Sequence, residues 1–249
     1  MARGFTVSPH RCLYVRDTPV TDYPFTLACW FNSHLDETGY WDDYLLTLTD
    51  KDDSYDRDVL AVQQNGGTPY LTASTSTNWD ALDRSPRNNM LVTRDVWSHG
   101  AAVFASGSSR RAYLNGVQGN EATVSLSPNA RDAFGIACTT RASSVGAGIY
   151  ADIAEAAVWD VALTHAEIQR LALGFSPLLV RPDALCIYVP LVRDEDRDIV
   201  GGLELTPTNS PTVVEHPRVI YVPRLWTGYA SGGLRWTTMM SYQTSSERL

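Results

Sequence analysis

Residues 24–32, PFTLACWFN, set Phe25, Leu27, Cys29 and Phe31 against Thr26, Ala28, Trp30 and Asn32. A period of two is the mark of a half-buried strand, and Pro24 marks its entry. YLLTLT (44–49) and DVLAVQQ (58–64) repeat the alternation, and NGGTP then breaks the chain as a turn. Residues 65–95 are rich in Ser, Thr, Asn and Arg, which predicts a long loop with at most a short strand near YLTAS. Order resumes at VWSHGAAVFASGSSRRAYLNGVQ (96–118). That stretch predicts two antiparallel strands joined by SGSS, then an Asn115-Gly116 turn suited to a tight hairpin. EATVSL (121–126) and DAFGIACTT (132–140) add two more strands. Short strands with turn signals at this spacing predict an all-β sandwich or barrel.

The stretch from Tyr150 to Gly174 departs from this rhythm. IYADIAEAAVWDV reads as a strand and runs into one short helix. Thr164 followed three residues later by Glu167 is a capping box, and Leu163 with Ile168 can form the hydrophobic staple beside it. Ile168, Leu171 and Ala172 give a single apolar stripe. Gly174 ends the helix as a left-handed cap, and Pro177 prevents its resumption. A helix of about ten residues is marginal alone, so it needs the sandwich to pack against.

Beyond it, DALCIYVPLVRDEDRDIVGGLELTPTN (183–209) predicts a strand, a mixed-charge surface turn (193–198), a Gly-Gly turn and another strand. From His216 the character changes. Residues 217–249 carry four Arg against one Glu, with Tyr221, Trp226, Tyr229, Trp236 and Tyr242. Arg and aromatic residues are enriched at interface hot spots. The expected docking residues are Arg218, Tyr221, Arg224, Trp226, Tyr229, Arg235 and Trp236. The chain therefore divides into a core (1–174), strands completing or flanking it (175–215) and a basic aromatic extension (216–249).

Composition narrows the classes. The 249 residues are 44% hydrophobic, enough for a sizeable core, and the net charge of −8 argues against a general nucleic-acid-binding surface. No stretch approaches the roughly 18 apolar residues of a membrane helix, and no apolar run near the N-terminus has the length of a signal peptide. Folding in a cytosol is the expectation. Cys12, Cys29, Cys138 and Cys186 lack metal-ligand spacing and read as reduced thiols, mostly buried in strands.

In this order, PFTLACWFN, VWSHGAAVFASGSSRRAYLNGV and IAEAAVWDVALTHAEIQRL resemble the laminin-G-like and pentraxin-like group of concanavalin A-type jelly rolls. The shared features are Trp30-Phe31, Trp97 with His99, Tyr113 to Gly116, and Trp159 through Ile168. The resemblance covers roughly residues 3–174. It implies a two-sheet antiparallel jelly-roll sandwich with one short helix after the last core strand. ALCIYVPLVRDEDRDIVGGLELT is similar to the strand and turn that usually open such domains, yet here it follows the helix. The whole layout resembles laminin-G-like proteins from tailed-phage structural gene clusters.

That resemblance implies a virion protein, made in the host cytoplasm, that decorates a capsid or other particle surface by binding the major capsid protein or other virion proteins. A homo-oligomer is expected with it, and surface glycans are the alternative partner. No membrane, cofactor, metal or catalytic residue is expected. The group also contains glucanases, whose laminarinase-type members place carboxylates in a Glu-x-Asp-x-x-Glu pattern. The nearest match here has Tyr150 in the first position, and on a regular strand Asp152 and Glu155 would face opposite ways. Calcium, which pentraxin-like proteins use, could be sought at DKDDSYDRD (50–58). Tyr55 and Ala61 stand where an EF-hand loop needs Gly and Glu, so a solvated acidic hairpin is expected instead. Tyr40, Trp41, Tyr44 and Trp79 are aromatic residues in or near loops that could stack on sugars or pack at a contact. No Ser-His-Asp or Cys-His constellation is legible, and His99 is expected to pack within its strand.

Overall fold

In chain order the strands are β1 (Ala2–Phe5), β2 (Cys12–Val15), β3 (Phe25–Ser33), β4 (Asp42–Thr49), β5 (Arg57–Asn65), β6 (Thr68–Ser76), β7 (Leu82–Arg84), β8 (Ser98–Ser106), β9 (Ser109–Leu114), β10 (Val117–Ala122), β11 (Ala133–Ile136), β12 (Thr139–Arg141), β13 (Ser144–Gly146) and β14 (Ala151–Trp159). Helix α1 (His165–Ala172) and a 3-10 turn (Pro177–Leu179) follow, then β15 (Leu185–Val189), β16 (Thr206–Thr208) and β17 (Thr212–Val214). This computed structural model describes residues 1–34, 42–53, 55–77, 82–85, 90–141, 144–146, 148–192 and 196–221.

Two antiparallel sheets stack face to face. One runs β10-β9-β8-β3-β14-β1-β17, with β15 also paired to β14; the other runs β16-β2-β11-β4-β5-β6-β7, and β12 with β13 forms a separate hairpin. The period-two alternation decides what lies between them. Phe25, Leu27, Cys29 and Phe31 of β3 point inward and meet Leu46, Leu48, Leu60, Val62 and Leu71 of the opposing sheet. Each such side chain, fully withdrawn from water, contributes about 1.5–3 kcal/mol. Cys12, Cys29 and Cys138 are buried, Cys186 is half-buried, and all four are free thiols.

Three expectations are corrected. The first is the predicted loop at 65–95, most of whose first part is strand. Gly66 and Gly67, both at positive φ, turn a hairpin that pairs β6 with β5 from Asn65↔Thr68 to Arg57↔Ser76, and β7 adds a further edge. Leu71 and Ala73 face the core, while Thr72 and Ser74 of the other face are buried as well. Polar letters concealed the strand because its hydroxyl residues are covered, and Thr suits a pleated surface. Tyr44, expected near a loop, is likewise a buried residue of β4, with Arg57 over its ring.

The second correction concerns the strand expected at 121–126. Gly116, at φ 78°, completes the Asn115-Gly116 turn, and β10 begins directly after it and ends at Ala122. The third concerns charge. Asp56 and Asp58 are 1% and 0% exposed, so the acidic hairpin is not simply solvated. Asp56 Oδ2 accepts from Asn129 N (3.0 Å) and Nδ2 (2.5 Å), and Asp58 Oδ2 accepts from Arg131 Nε (2.6 Å). In the turn expected at 193–198, Asp198 is buried and accepts from the backbone N–H groups of Tyr188 and Val200 at 2.8 and 3.0 Å. A Cβ on Gly201 would lie 2.6 Å from that carboxylate, which is why glycine follows there.

Helix α1 packs on the outer face of the eight-stranded sheet. Leu163, Ile168 and Leu171 bury against Ala101, Val103, Tyr113, Ala157 and Trp159. The capping box forms as its sequence predicts: Glu167 N donates to Thr164 Oγ1, and Thr164 N donates to Glu167 Oε2 (2.8 Å). At the other end Gly174 N bonds Leu171 O and Phe175 N bonds Arg170 O, a Schellman cap with Gly174 at φ 92°. His165 Nε2 lies 2.9 Å from Gly116 O and ties the helix to the β9–β10 turn.

Glu167 gives this packing an acid limit. Its bond from Arg181 Nε (2.7 Å) and the capping donors outweigh partial burial and lower its pKa to about 2. A carboxyl whose pKa is lower folded than unfolded stabilises above the unfolded value and loses that contribution as pH falls through the folded one. Glu167→Gln is therefore expected to reduce the fall in stability between about pH 5 and pH 2. Thermal melts of both proteins across that range provide the measurement.

Candidate functional site

Strand β14 is the pivot of the outer face. Ala151 and Ile153 point into the sandwich before residue 155, and Ala156 and Val158 after it. One residue is therefore inserted, and the register against β3 shifts between Ala154 and Ala157. This is a β-bulge with Glu155 inside it at φ 55°. The bulge also divides the next lane of the sheet: β1 pairs with residues 151–153 and β15 with 156–159. Asp152 and Glu155 consequently both meet partners on the outer side of the sheet, contrary to the regular-strand expectation.

Glu155, only 2% exposed, collects hydroxyl donors. Tyr188 Oη donates to Oε2 at 2.5 Å and Tyr221 Oη donates to Oε1 at 2.6 Å. His216 Nε2 lies 3.1 Å from Oε1, in ion-pair range although outside hydrogen-bond geometry. Burial, then the carboxylate charge, pushes both tyrosines well above the ordinary phenol range, so both stay protonated as donors. Two backbone bonds complete the clasp, Ile220 N to Gly174 O (2.6 Å) and Ser176 N to Ile220 O (3.0 Å). Residues 216–221 thus form a strap across the end of α1. Of the residues expected to dock on a partner, Tyr221 binds the chain's own sandwich through its hydroxyl and is 45% exposed. Arg218 is exposed, with its carbonyl close to Gly174. Arg224, Trp226, Tyr229, Arg235 and Trp236 lie outside the described residues, as do Tyr40, Trp41 and Trp79.

A second group occupies the same outer face. His34 continues β3 and lies between two carboxylates, with Nδ1 2.7 Å from Asp95 and Nε2 2.9 Å from Asp152. Partial burial acts to lower its pKa, but the hydrogen bonds to Asp95 and Asp152 prevail and raise it. Tyr150, 50% exposed, has its ring 5.2 Å from His34. Two residues along β3, Asn32 is paired across to Asp152, and Trp30 is paired across to His99 with ring centroids 5.5 Å apart. His99 is 2% exposed and burial depresses its pKa to about 3, so its imidazole is neutral. Asn32 Oδ1 and His99 Nδ1 are buried without a hydrogen-bond partner. Sequence reading placed His99 in its strand but could not show that its ring nitrogen is left unpaired.

Between these two groups, Trp30, His99, Glu155, Trp159 and Phe175 line a pocket with about 190 Å³ of empty space. Most of that space is open to solvent, and the enclosed part, about 10 Å³, holds about one water molecule. Among the described residues, no group of three or more His, Cys, Asp or Glu side chains could hold a metal ion. No described helix is long and apolar enough to cross a membrane.

A laminin G-type family model, described as the concanavalin A-like lectin/glucanases superfamily, matches residues 11–169. No curated protein matches the sequence significantly. Among solved structures, a heptameric SAP-like pentraxin from Limulus polyphemus superposes with a TM-score of 0.53 at 16% identity, covering 69% of this chain and 80% of the pentraxin. A putative carbohydrate-binding protein from Bacteroides ovatus gives 0.56 at 16% identity, covering 86% of this chain and 61% of that one. Full-length tailspike protein 2 of an Escherichia coli O157:H7 bacteriophage gives 0.51 at 13% identity, covering 76% of this chain and 26% of the tailspike. The chain thus spans less than two thirds of the latter two proteins, and at these identities the likeness is one of fold. The family match extends over well more than half of the sequence, and the stacked antiparallel sheets with one helix after the last core strand agree with it: the chain belongs to the concanavalin A-like lectin/glucanases superfamily.

Proposed function

We propose that this chain is a structural protein of a bacteriophage virion, a capsid-decoration or head-surface protein that acts by binding and carries out no reaction. The observation that carries the reading is the strap. Residues 216–221 are fixed to the sandwich by Glu155, Gly174 and Ser176, directly before the Arg- and aromatic-rich residues 222–249. An interaction segment whose root is held by a rigid body loses less freedom on docking than one on a loose tether. The resemblance to tailed-phage gene products and the fold shared with a tailspike support the virion setting. Repeated particle sites favour a homo-oligomer.

Removal of residues 222–249 is expected to leave a folded sandwich, judged by circular dichroism and a cooperative melt, that no longer joins particles. Normal incorporation of that truncated chain would refute the anchoring role.

A second reading, carbohydrate binding at a host or particle surface, is favoured by the polar and aromatic outer face and by the carbohydrate-binding structural neighbour. The two readings are compatible. The main carboxylates of that face support binding over hydrolysis, because Asp152 bonds His34 while Glu155 is buried beneath two tyrosines. Release of reducing sugar from candidate polysaccharides would contradict the non-catalytic assignment.

A further inference from the structure

We propose that His34 is a proton-dependent clamp: as an imidazolium it fastens residues 90–97, which cross from one sheet to the other, and on losing its proton it releases that segment at Asp95. The device is independent of which partner the protein binds.

The crossing comes first. Leu71 N donates to Met90 O and Val92 N donates to Pro69 O, both at 2.9 Å, so the segment starts beside β6 in the seven-stranded sheet. Three residues later Asp95 N donates to Ser33 O at 3.0 Å, at the end of β3 in the eight-stranded sheet, and β8 begins at Ser98. Asp95 sits at φ 55°, a left-handed conformation that residues other than glycine adopt sparingly. His34 N donates to Tyr150 O at 2.9 Å, which fixes the backbone from which its ring reaches both ways. One imidazole thus joins β3, β14 and the crossing segment.

The proton count comes second. Nδ1 lies 2.7 Å from Asp95 Oδ1 and Nε2 lies 2.9 Å from Asp152 Oδ2. A carboxylate only accepts, and a neutral imidazole donates through a single nitrogen, so both contacts are hydrogen bonds only when the ring carries both protons. The charged groups facing the ring are these two carboxylates, one from the crossing segment and one from β14. Arg94 turns its Nη2 to Gly67 O at 3.1 Å, β1 brings uncharged Gly4 opposite Asp152, and the Tyr150 ring lies beside the imidazole.

Exposure gives the release a direction. The Asp95 side chain is 76% exposed and that of Asp152 is 17% exposed. When one bond must go, water replaces the imidazole at Asp95 at little cost, while the shielded Asp152 keeps the remaining N–H. The hydrogen bonds that raise the pKa of His34 against its partial burial set the sign. The clamp contributes fully below the unfolded histidine value of about 6.5 and is lost as pH rises through the folded value. The crossing segment therefore loosens toward alkaline pH, and it carries Val96, itself 49% exposed.

The test is hydrogen exchange of the Asp95 amide in the full chain, expressed as protection over intrinsic exchange, for wild type and His34→Gln. The control is the Leu126 amide, bonded to Gly107 O at 2.9 Å beyond the opposite end of β8. Between about pH 5.5 and about pH 9 we expect protection at Asp95 to fall about tenfold in wild type, to stay low and flat in His34→Gln, and to hold steady at Leu126 in both. The imidazole nitrogen resonances of His34 supply a measurement that needs no destabilised variant. Both nitrogens should be protonated at about pH 5.5, with a titration midpoint above about 6.5 that drops in Asp95→Asn. A midpoint at or below the ordinary histidine value would overturn the clamp. So would protection at Asp95 that follows the same pH course in wild type and His34→Gln, or an equal loss at Leu126, which would trace the change to global unfolding.

Discussion

Asp58→Ala is expected to destabilise the protein by about 3–5 kcal/mol, the range for stranding one half of a buried ion pair. The Asp58 side chain is fully buried and that of Arg131 is 2% exposed. Their 2.6 Å contact is joined by Thr75 Oγ1, which donates to Asp58 Oδ1 at 2.5 Å, and by Tyr23, whose ring lies under the guanidinium at 4.1 Å. Without the carboxylate, a guanidinium that cannot lose its proton stays inside the sandwich over the Tyr23 and Phe25 rings, its hydrogen bonding among the described residues reduced to the weak 3.5 Å contact to Thr21 O. The paired replacement Asp58→Leu with Arg131→Met should recover most of the loss, since removing both charges also removes their desolvation cost. Urea midpoints at constant m-value separate the two cases. A single variant as stable as wild type would show that the pair contributes nothing beyond its own desolvation.

Glu155→Ala is expected to cost about 3 kcal/mol, because hydrogen bonds to a charged acceptor contribute about 1.5–3 kcal/mol each. The two tyrosines do not share the loss equally. Tyr188 is fully buried and would be left with only a distant contact to Ser176 Oγ at 3.5 Å, whereas Tyr221 is 45% exposed and can turn to water. Stability should therefore fall mainly through Tyr188, and attachment of the strap mainly through Tyr221. Tyr221→Phe separates these effects: a small change in unfolding free energy, with a clear rise in exchange of the Ile220 and Ser176 amides. Hydrogen exchange resolved to those residues is the measurement. Unchanged protection at Ile220 in both variants would mean that the backbone bonds to Gly174 and Ser176 alone hold the strap.

What could be read in advance follows from which signals are local. Strand β3 was legible from the alternation of Phe25, Leu27, Cys29 and Phe31, β5 and β8 as short apolar runs that are buried on both faces, and α1 because Thr164, Glu167 and Gly174 state both of its ends. Strand β6 escaped because its outward Thr72 and Ser74 are covered, so polarity no longer reports exposure. The buried state of Asp56 and Asp58 escaped for a related reason: their partners Asn129 and Arg131 lie far along the chain. The candidate site depends most on distant relations. The bulge that brings Asp152 and Glu155 to one side needs an inserted residue that alternation cannot announce, since Ala154, Ala156 and Ala157 read the same in either register. Tyr188, His216 and Tyr221 share no motif with Glu155; only the topology assembles them. Tyr221 was foreseen as an anchoring residue, but its hydroxyl serves the chain's own body.

The divided lane beside β14 has a consequence for how the polypeptide reaches this state. Arg3 pairs with Ile153 on one side and with Val213 on the other, so β1 waits for a partner about 210 residues further on before both its edges are covered. Contacts of such long sequence separation place the protein among slow folders, on the millisecond-to-second scale or beyond. A nascent chain ending near residue 174 would hold Leu13, Phe31 and Ile153 around a half-built interior, with the edge that β15 fills still open to pairing with other chains. The residues after the helix therefore determine when this protein becomes safe from aggregation during its synthesis.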